Sequence, residues 1–67
     1  MSTERKEWVR VSRPANGGAC IVTVTLQEGN LTAKWSEKAY SNGLKKGVTD
    51  ARRSAGAMLD QLAEALA

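Results

Sequence analysis

The sequence predicts an α+β domain in which a three-stranded antiparallel meander packs against a C-terminal helix, in the order βββα. Three observations support this fold class. Apolar and polar residues alternate in three short segments of the first half, which is the period of a half-buried strand. Turn-forming residues separate these segments. In the second half, apolar residues recur at steps of three or four, which is the period of a helix. A chain of 67 residues has room for one domain, which we place at 7–67, after a disordered tail at 1–6.

Three strands are predicted in order. The first is Glu7–Arg13, and the second is Ala19–Gln27, which is rich in the β-branched residues that suit a pleated surface. Leu31–Ser36 forms the third. Pro14–Gly18 is the strongest turn signal in the chain and is longer than a two-residue hairpin turn, so we expect this loop to project from the sheet. A tight turn at Glu28–Asn30 joins the last two strands.

One face of this sheet is apolar and has to be covered. We expect that face to consist of Val9, Val11, Cys20, Val22, Val24, Leu26, Leu31, Ala33 and Trp35. Cys20 is predicted to be a small core residue, since free cysteine is among the most buried residue types. Trp35 is predicted to be the large aromatic residue of the core.

The covering element is a helix predicted over Thr49–Leu66. Thr49 is the expected N-cap, and Asp50 at the first helical position is favoured by the helix dipole. The preceding stretch, 37–47, continues the apolar stripe but contains Asn42 and two glycines, which weaken a helix. A long kinked helix and a short helix followed by a loop are both open there. The stripe consists of Tyr40, Leu44, Val48, Ala51, Ala55, Met58, Leu59, Leu62 and Leu66.

Composition bounds the chemistry. One cysteine and no histidine leave no intrachain disulfide and no zinc site of the usual kind, and no motif calls for a cofactor. Asp60 and Glu64 are one helical turn apart, which is typical of a solvated helix face, and no serine lies in a nucleophile motif. We therefore predict a protein that is not an enzyme. No apolar stretch is long enough to span a membrane and no signal peptide is recognisable, so the predicted location is the cytoplasm.

Basic residues are concentrated in the middle of a chain whose net charge is +3. Lys34 and Lys38 precede four more at the helix start: Lys45, Lys46, Arg52 and Arg53. Positive charge near a helix N-terminus opposes the dipole, and a bound anion would compensate for it. The alternative is that these are ordinary solubilising charges.

The sheet face away from the helix is the second candidate surface. A single helix cannot cover both sides of the sheet, so Trp8 and Ile21 are expected to be exposed and to form a contact surface. The other members of that face are Arg10, Thr23, Thr25, Thr32 and Lys34. The alternative is that Trp8 folds over the sheet edge or packs under the N-terminal tail.

Two groups of nucleic-acid-binding domains resemble this layout. The order of Pro14-Ala15-Asn16, an alternating strand, and Lys45-Lys46 before an Ala-rich helix is similar to the double-stranded RNA-binding domain, although the first helix of that family is absent. A three-stranded meander followed by a helix also resembles the arm-type DNA-binding domain of phage integrases, which reads the major groove with its exposed sheet face. That resemblance implies a binding surface of Trp8, Arg10, Thr23, Thr25 and Lys34.

The leading functional prediction is therefore a small nucleic-acid-binding module that uses the basic patch at the helix start and the exposed sheet face. The alternative is a protein-binding regulator or inhibitor that docks through that face or through an edge strand. Because the core is small, we also predict a homodimer. Its contact would be either a pair of sheet edges or the strip of small residues Gly47, Ala51 and Ala55, which could equally serve to seat the helix on its own sheet.

Overall fold

The computed structural model describes residues 4–13 and 18–66, and its layout confirms the predicted βββα fold. A short 3-10 helix precedes the long α-helix. The elements are β1 (Arg5–Ser12), β2 (Cys20–Glu28), β3 (Leu31–Ala39), the 3-10 helix (Ser41–Gly43) and α1 (Leu44–Leu66).

The three strands form one antiparallel sheet in the order β1-β2-β3. Glu28 lies opposite Leu31, so only two residues form the turn between β2 and β3. The first of them, Gly29, has φ of 61°, a left-handed conformation that glycine adopts at no steric cost. The loop predicted at Pro14–Gly18 lies, except for Gly18, outside the described residues.

Helix α1 packs over β2 and β3, and the core lies between these elements. Alternate residues of β2 are buried, as the period of two requires. Cys20 is 4% exposed, which confirms its predicted place in the core. The buried residues of the cluster are Val22, Val24, Leu26, Ala33, Ala39, Ala51, Ala55 and Leu59.

Small residues seat the helix on this sheet. Gly47, Ala51 and Ala55 are all buried against their own sheet, so this strip is not available to a second copy and its prediction as a dimer contact is wrong. The closest approach is at Gly47, where an added Cβ would lie 2.6 Å from the Cβ of Ala39. The side-chain-free surface at this position lets the helix pack directly on β3.

The first strand and the third strand are both longer than predicted. β1 begins at Arg5, so Arg5 and Lys6 belong to the sheet and the prediction of a tail at 1–6 is wrong for them. Residues 1–3 lie outside the described part. β3 continues to Ala39, because its pairing with β2 runs on to Cys20.

The helix begins earlier than predicted. It starts at Leu44 and directly follows the 3-10 helix, in which the backbone N–H of Gly43 donates to the carbonyl of Tyr40 at 2.8 Å. Thr49 is therefore inside the helix and is not its N-cap. Its hydroxyl donates to the carbonyl of Lys45 at 2.9 Å, a back-bond that is common for threonine within helices.

The predicted apolar face is only partly covered. Because α1 lies over β2 and β3, Val9 and Val11 of the edge strand β1 remain 42% and 38% exposed. Trp35 lies on the other outer strand and is 38% exposed, so its prediction as a core aromatic is wrong. Its indole N–H donates to Oε1 of Glu37 at 3.0 Å.

Candidate nucleic-acid interface

The side of the sheet away from α1 forms a surface that we call the open face. In a strand, successive side chains point to opposite sides, and the buried residues of β2 identify the side that faces the helix. None of the open-face residues is buried. They are Lys6, Trp8, Arg10 and Ser12 of β1, Ile21, Thr23, Thr25 and Gln27 of β2, and Thr32, Lys34, Ser36 and Lys38 of β3.

The charge of the open face has one sign. None of its residues is acidic, and four are basic: Lys6, Arg10, Lys34 and Lys38. Every acidic residue of the three strands has the opposite parity and points to the helix side: Glu7, Glu28 and Glu37. The period of two therefore sorts the strand charges into a positive side and a mainly negative side.

Pairing of the strands spaces these positive charges evenly. The open face has four cross-strand rows, and each row contains one basic residue, alternately from β1 and β3. Neighbouring rows are roughly 7 Å apart and the outer strands roughly 10 Å apart. No two like charges lie directly opposite each other, which would destabilise the sheet. The rows are Lys6–Gln27–Thr32, Trp8–Thr25–Lys34, Arg10–Thr23–Ser36 and Ser12–Ile21–Lys38.

The middle of the open face is uncharged and polar. The central strand β2 supplies Thr23, Thr25 and Gln27, whose hydroxyl and amide groups can both donate and accept hydrogen bonds. Thr23 already shares a hydrogen bond of 2.9 Å with Ser36 across the sheet. Its hydroxyl is therefore held in place by the neighbouring strand.

Two large apolar residues lie on the open face, as predicted, but they do not form one patch. Trp8 is 52% exposed and Ile21 is 37% exposed. They belong to rows that are two steps apart, roughly 13 Å along the strands, and Arg10 occupies the row between them. Trp8 is thus an isolated aromatic ring between Lys6 and Arg10, the two basic residues of β1 on the open face.

The basic patch predicted at the helix start lies on the other layer of the molecule. Lys45, Lys46 and Arg53 are exposed on α1, while the open face points away from that helix. Arg52 is engaged by β1, because its Nε and Nη2 donate to the two carboxylate oxygens of Glu7, the second at 3.0 Å. The structure therefore divides the predicted site residues between two surfaces on opposite layers of the domain.

The helix start keeps the unfavourable charge order that the sequence predicted. Its first turn contains no acidic residue and its last turn contains no basic residue. A shallow depression around its first turns is lined by four basic residues, one acidic residue and three uncharged residues: Lys45, Lys46, Arg52, Arg53, Asp50, Leu44, Val48 and Thr49. This surface is mainly basic but contains both signs of charge. The single-sign surface of the sheet is on the open face.

Sequence reasoning assigned most of the open face correctly but did not place Lys6 or Lys38 on it. Lys6 was placed in the tail, although the alternation of Trp8, Arg10 and Ser12 continues backwards to it. Lys38 was grouped with the basic residues near the helix, since the third strand was predicted to end at Ser36, and β3 continues to Ala39. Extending the period of two by one step backwards in the first strand and one step forwards in the third would have found both residues.

Within residues 4–13 and 18–66, no group of three or more metal-binding side chains is close enough together to hold an ion. No helix in the described part of the chain is long and apolar enough to cross a membrane. Comparisons with protein-family models, curated proteins and solved structures found no match to this chain.

Proposed function

We propose that the protein binds nucleic acid through the open face of its sheet. The observation that carries this proposal is the separation of charge between the two sides: four basic and no acidic residues on the open face, with the acidic residues of the strands on the other side. A net charge of +3 would be weak support by itself. Four basic residues without an acidic residue on one exposed side of the sheet are stronger support.

The expected chemistry is phosphate contact at the edges and polar contact in the middle. Lys6 and Arg10 on one outer strand, and Lys34 and Lys38 on the other, would lie beside phosphate oxygens and displace condensed counterions. The hydroxyl and amide groups of β2 would then face sugar or base edges. Trp8 would supply a ring on which an unpaired base could stack.

The first test measures binding of a labelled duplex DNA, a single-stranded DNA and an RNA duplex by fluorescence anisotropy over a range of salt concentrations. We expect Lys34→Gln with Lys38→Gln to weaken binding at least tenfold at low salt. For duplex DNA, losing two phosphate contacts should reduce the slope of log K against log[salt] by about two.

The helix offers a matched control with the same change in net charge. Lys45→Gln with Lys46→Gln removes two positive charges from the other layer, and it should weaken binding less than threefold. Equal losses in the two double variants would mean that only the total charge matters, and the proposal would fail. Binding that does not respond to salt would contradict it as well.

Docking of a protein partner through the open face has less support than nucleic-acid binding. An apolar contact through the open face would need Trp8 and Ile21 together, and Arg10 lies in the row between them. The cytoplasm remains the predicted location, and the buried free thiol of Cys20 fits a reducing compartment.

A further inference from the structure

We infer that two copies of this chain pair through their β1 strands, antiparallel and centred on Val9, to form one six-stranded sheet. The inference starts from β1, in which all eight residues are exposed. On its inner side β1 is hydrogen-bonded to β2, and on its outer side, within the described residues, it has no neighbouring strand. Such an edge presents unpaired N–H and C=O groups to any strand that can match it.

The valines of β1 indicate that the edge has a partner. Val9 and Val11 have the parity of core residues and lie opposite Val24 and Val22, which are fully buried. The helix does not extend over them, so both stay more than one-third exposed. In the same two rows of the other edge strand, β3, lie Trp35, which is 38% exposed, and Glu37, to which its indole donates. Of the two edge strands, only β1 therefore presents two apolar residues in these rows.

A two-fold axis through an antiparallel pair of identical strands restricts the register. Each residue lies opposite one of the same parity, and the pair is centred on a single residue that faces its own copy. For the eight residues of β1, two centres give the longest overlap, seven residues each: Trp8 and Val9. The side chains decide between these two registers.

Centring on Trp8 places Lys6 of each copy opposite Arg10 of the other. Two pairs of like charges would then face each other directly, which is destabilising. Centring on Val9 removes both clashes. Lys6 then lies opposite Ser12, and Arg10 lies opposite Trp8, where a guanidinium can stack on an indole ring. On the helix side, Val9 meets its own copy, with Val11 of each chain diagonally adjacent.

A second copy of the chain is thus the occupant that fits this edge. The contact would join the two open faces into one continuous surface with twice the number of basic residues. It does not depend on nucleic acid, so it is tested in the protein alone and can fail while the proposed function holds.

Single cysteines in a Cys20→Ala background test the register. Val9→Cys should form an intermolecular disulfide on mild oxidation, because paired Cα atoms roughly 4.5–5.5 Å apart are within disulfide range. Val11→Cys is the matched control, since Val11 would be displaced by four residues, roughly 13 Å, from its own copy. It should remain a monomer on a non-reducing gel.

Lysine substitutions test the assembly without cross-linking. In light scattering at micromolar concentration, the unmodified chain should have the mass of a dimer. Val9→Lys, which places two ammonium groups face to face on the axis, should have the mass of a monomer and keep its circular dichroism spectrum. Val11→Lys, which meets Glu7 of the second copy, should stay dimeric.

Three results would overturn the inference. The first is a monomer mass for the unmodified chain at high micromolar concentration. The second is cross-linking of Trp8→Cys in place of Val9→Cys, which would mean the other register. The third is equal dissociation by Val9→Lys and Val11→Lys, which would mean that neither valine lies at the axis.

Discussion

At the scale of single residues, the close approach of the helix to the sheet depends on the absence of a side chain at Gly47. A Cβ there would lie 2.6 Å from the Cβ of Ala39 and 3.7 Å from Cγ2 of Val22. The first distance is too short for two carbon atoms, and both belong to packed elements that cannot move freely. Glycine at this position lowers the intrinsic stability of the helix, but it allows the helix to contact the sheet closely.

We predict that Gly47→Ala lowers the free energy of unfolding by about 1–3 kcal/mol, the usual effect of overpacking a core. The loss should occur even though alanine favours a helix by about 1 kcal/mol over glycine. Urea unfolding followed by circular dichroism measures it.

Gly56→Ala is the matched control in the same helix. Its Cβ would meet only ordinary van der Waals contacts, at 3.8 Å from Nη1 of Arg5 and 4.0 Å from Cδ1 of Leu26. The substitution should therefore be neutral or stabilise the protein by up to about 1 kcal/mol. If both variants were stabilised equally, the contact at Gly47 would be looser than the structure indicates.

At the scale of elements, β1 is attached to the rest of the fold by its pairing with β2 and by ion pairs to the helix. Arg52 of α1 binds Glu7 through both carboxylate oxygens. Nη2 of Arg5 lies 3.2 Å from Oδ1 of Asp60, and Nε of Arg5 lies 3.7 Å from Oε1 of Glu28. The side chains of these ion pairs are partly exposed. Ion pairs therefore connect β1 to the helix, whereas β2 and β3 are connected to it by buried apolar contacts.

A double-mutant cycle over Glu7→Gln and Arg52→Gln should give a coupling energy of about 0.5–1 kcal/mol. That is the upper part of the range for exposed ion pairs, and the bidentate geometry is the reason for expecting it. The free energies of unfolding of the wild type, the two single variants and the double variant provide the measurement.

Arg53→Gln supplies the comparison in the same turn of the helix. Within the described part of the chain Arg53 forms no ion pair, so its cycle with Glu7→Gln should show no coupling. A coupling of the same size would trace the effect to general charge and not to the contact between Arg52 and Glu7.

At the scale of the whole molecule, the two layers have different electrostatic characters. The open face has four basic residues and no acidic residue, and the helix layer has mixed charge because Asp50, Asp60 and Glu64 lie among its basic residues. A polyanion approaching this molecule would be oriented by that difference before contact.

Stability of the whole molecule should depend on assembly. Association stabilises the folded state by mass action, so the melting temperature of the unmodified chain should rise with protein concentration. The melting temperature of Val9→Lys should stay constant over the same range. Differential scanning calorimetry at several concentrations measures both, and parallel curves for the two proteins would contradict the two-fold contact.

The sequence alone determined the fold class and most of the open face. A period of two in three segments and a period of three to four in the last were sufficient to place the strands, the helix and the exposed positions of Trp8 and Ile21. These are local regularities, since the geometry of each element fixes which side chains share a side. The same regularity places Lys34 on the open face with Arg10, whereas Lys38 is placed there only by the longer β3 of the structure.

The tertiary structure alone decided where the helix lies across the sheet. The sequence contains no signal that α1 covers β2 and β3 and leaves Val9, Val11 and part of Trp35 exposed, because that depends on where small and large side chains meet. The close contact of Gly47 with Ala39 sets this position, and it brings together residues that are eight apart in the chain.

The same placement separated the two predicted basic surfaces and removed Arg52 from the candidate site. In the sequence, Lys38 and Lys45 are successive basic residues of the same basic segment. In the fold, the chain turns after Ala39, so that the first lies on the open face and the second on the helix layer. Two residues that are close in the sequence can therefore lie on opposite sides of a two-layer domain. Their sides depend on where the chain passes from one layer to the other.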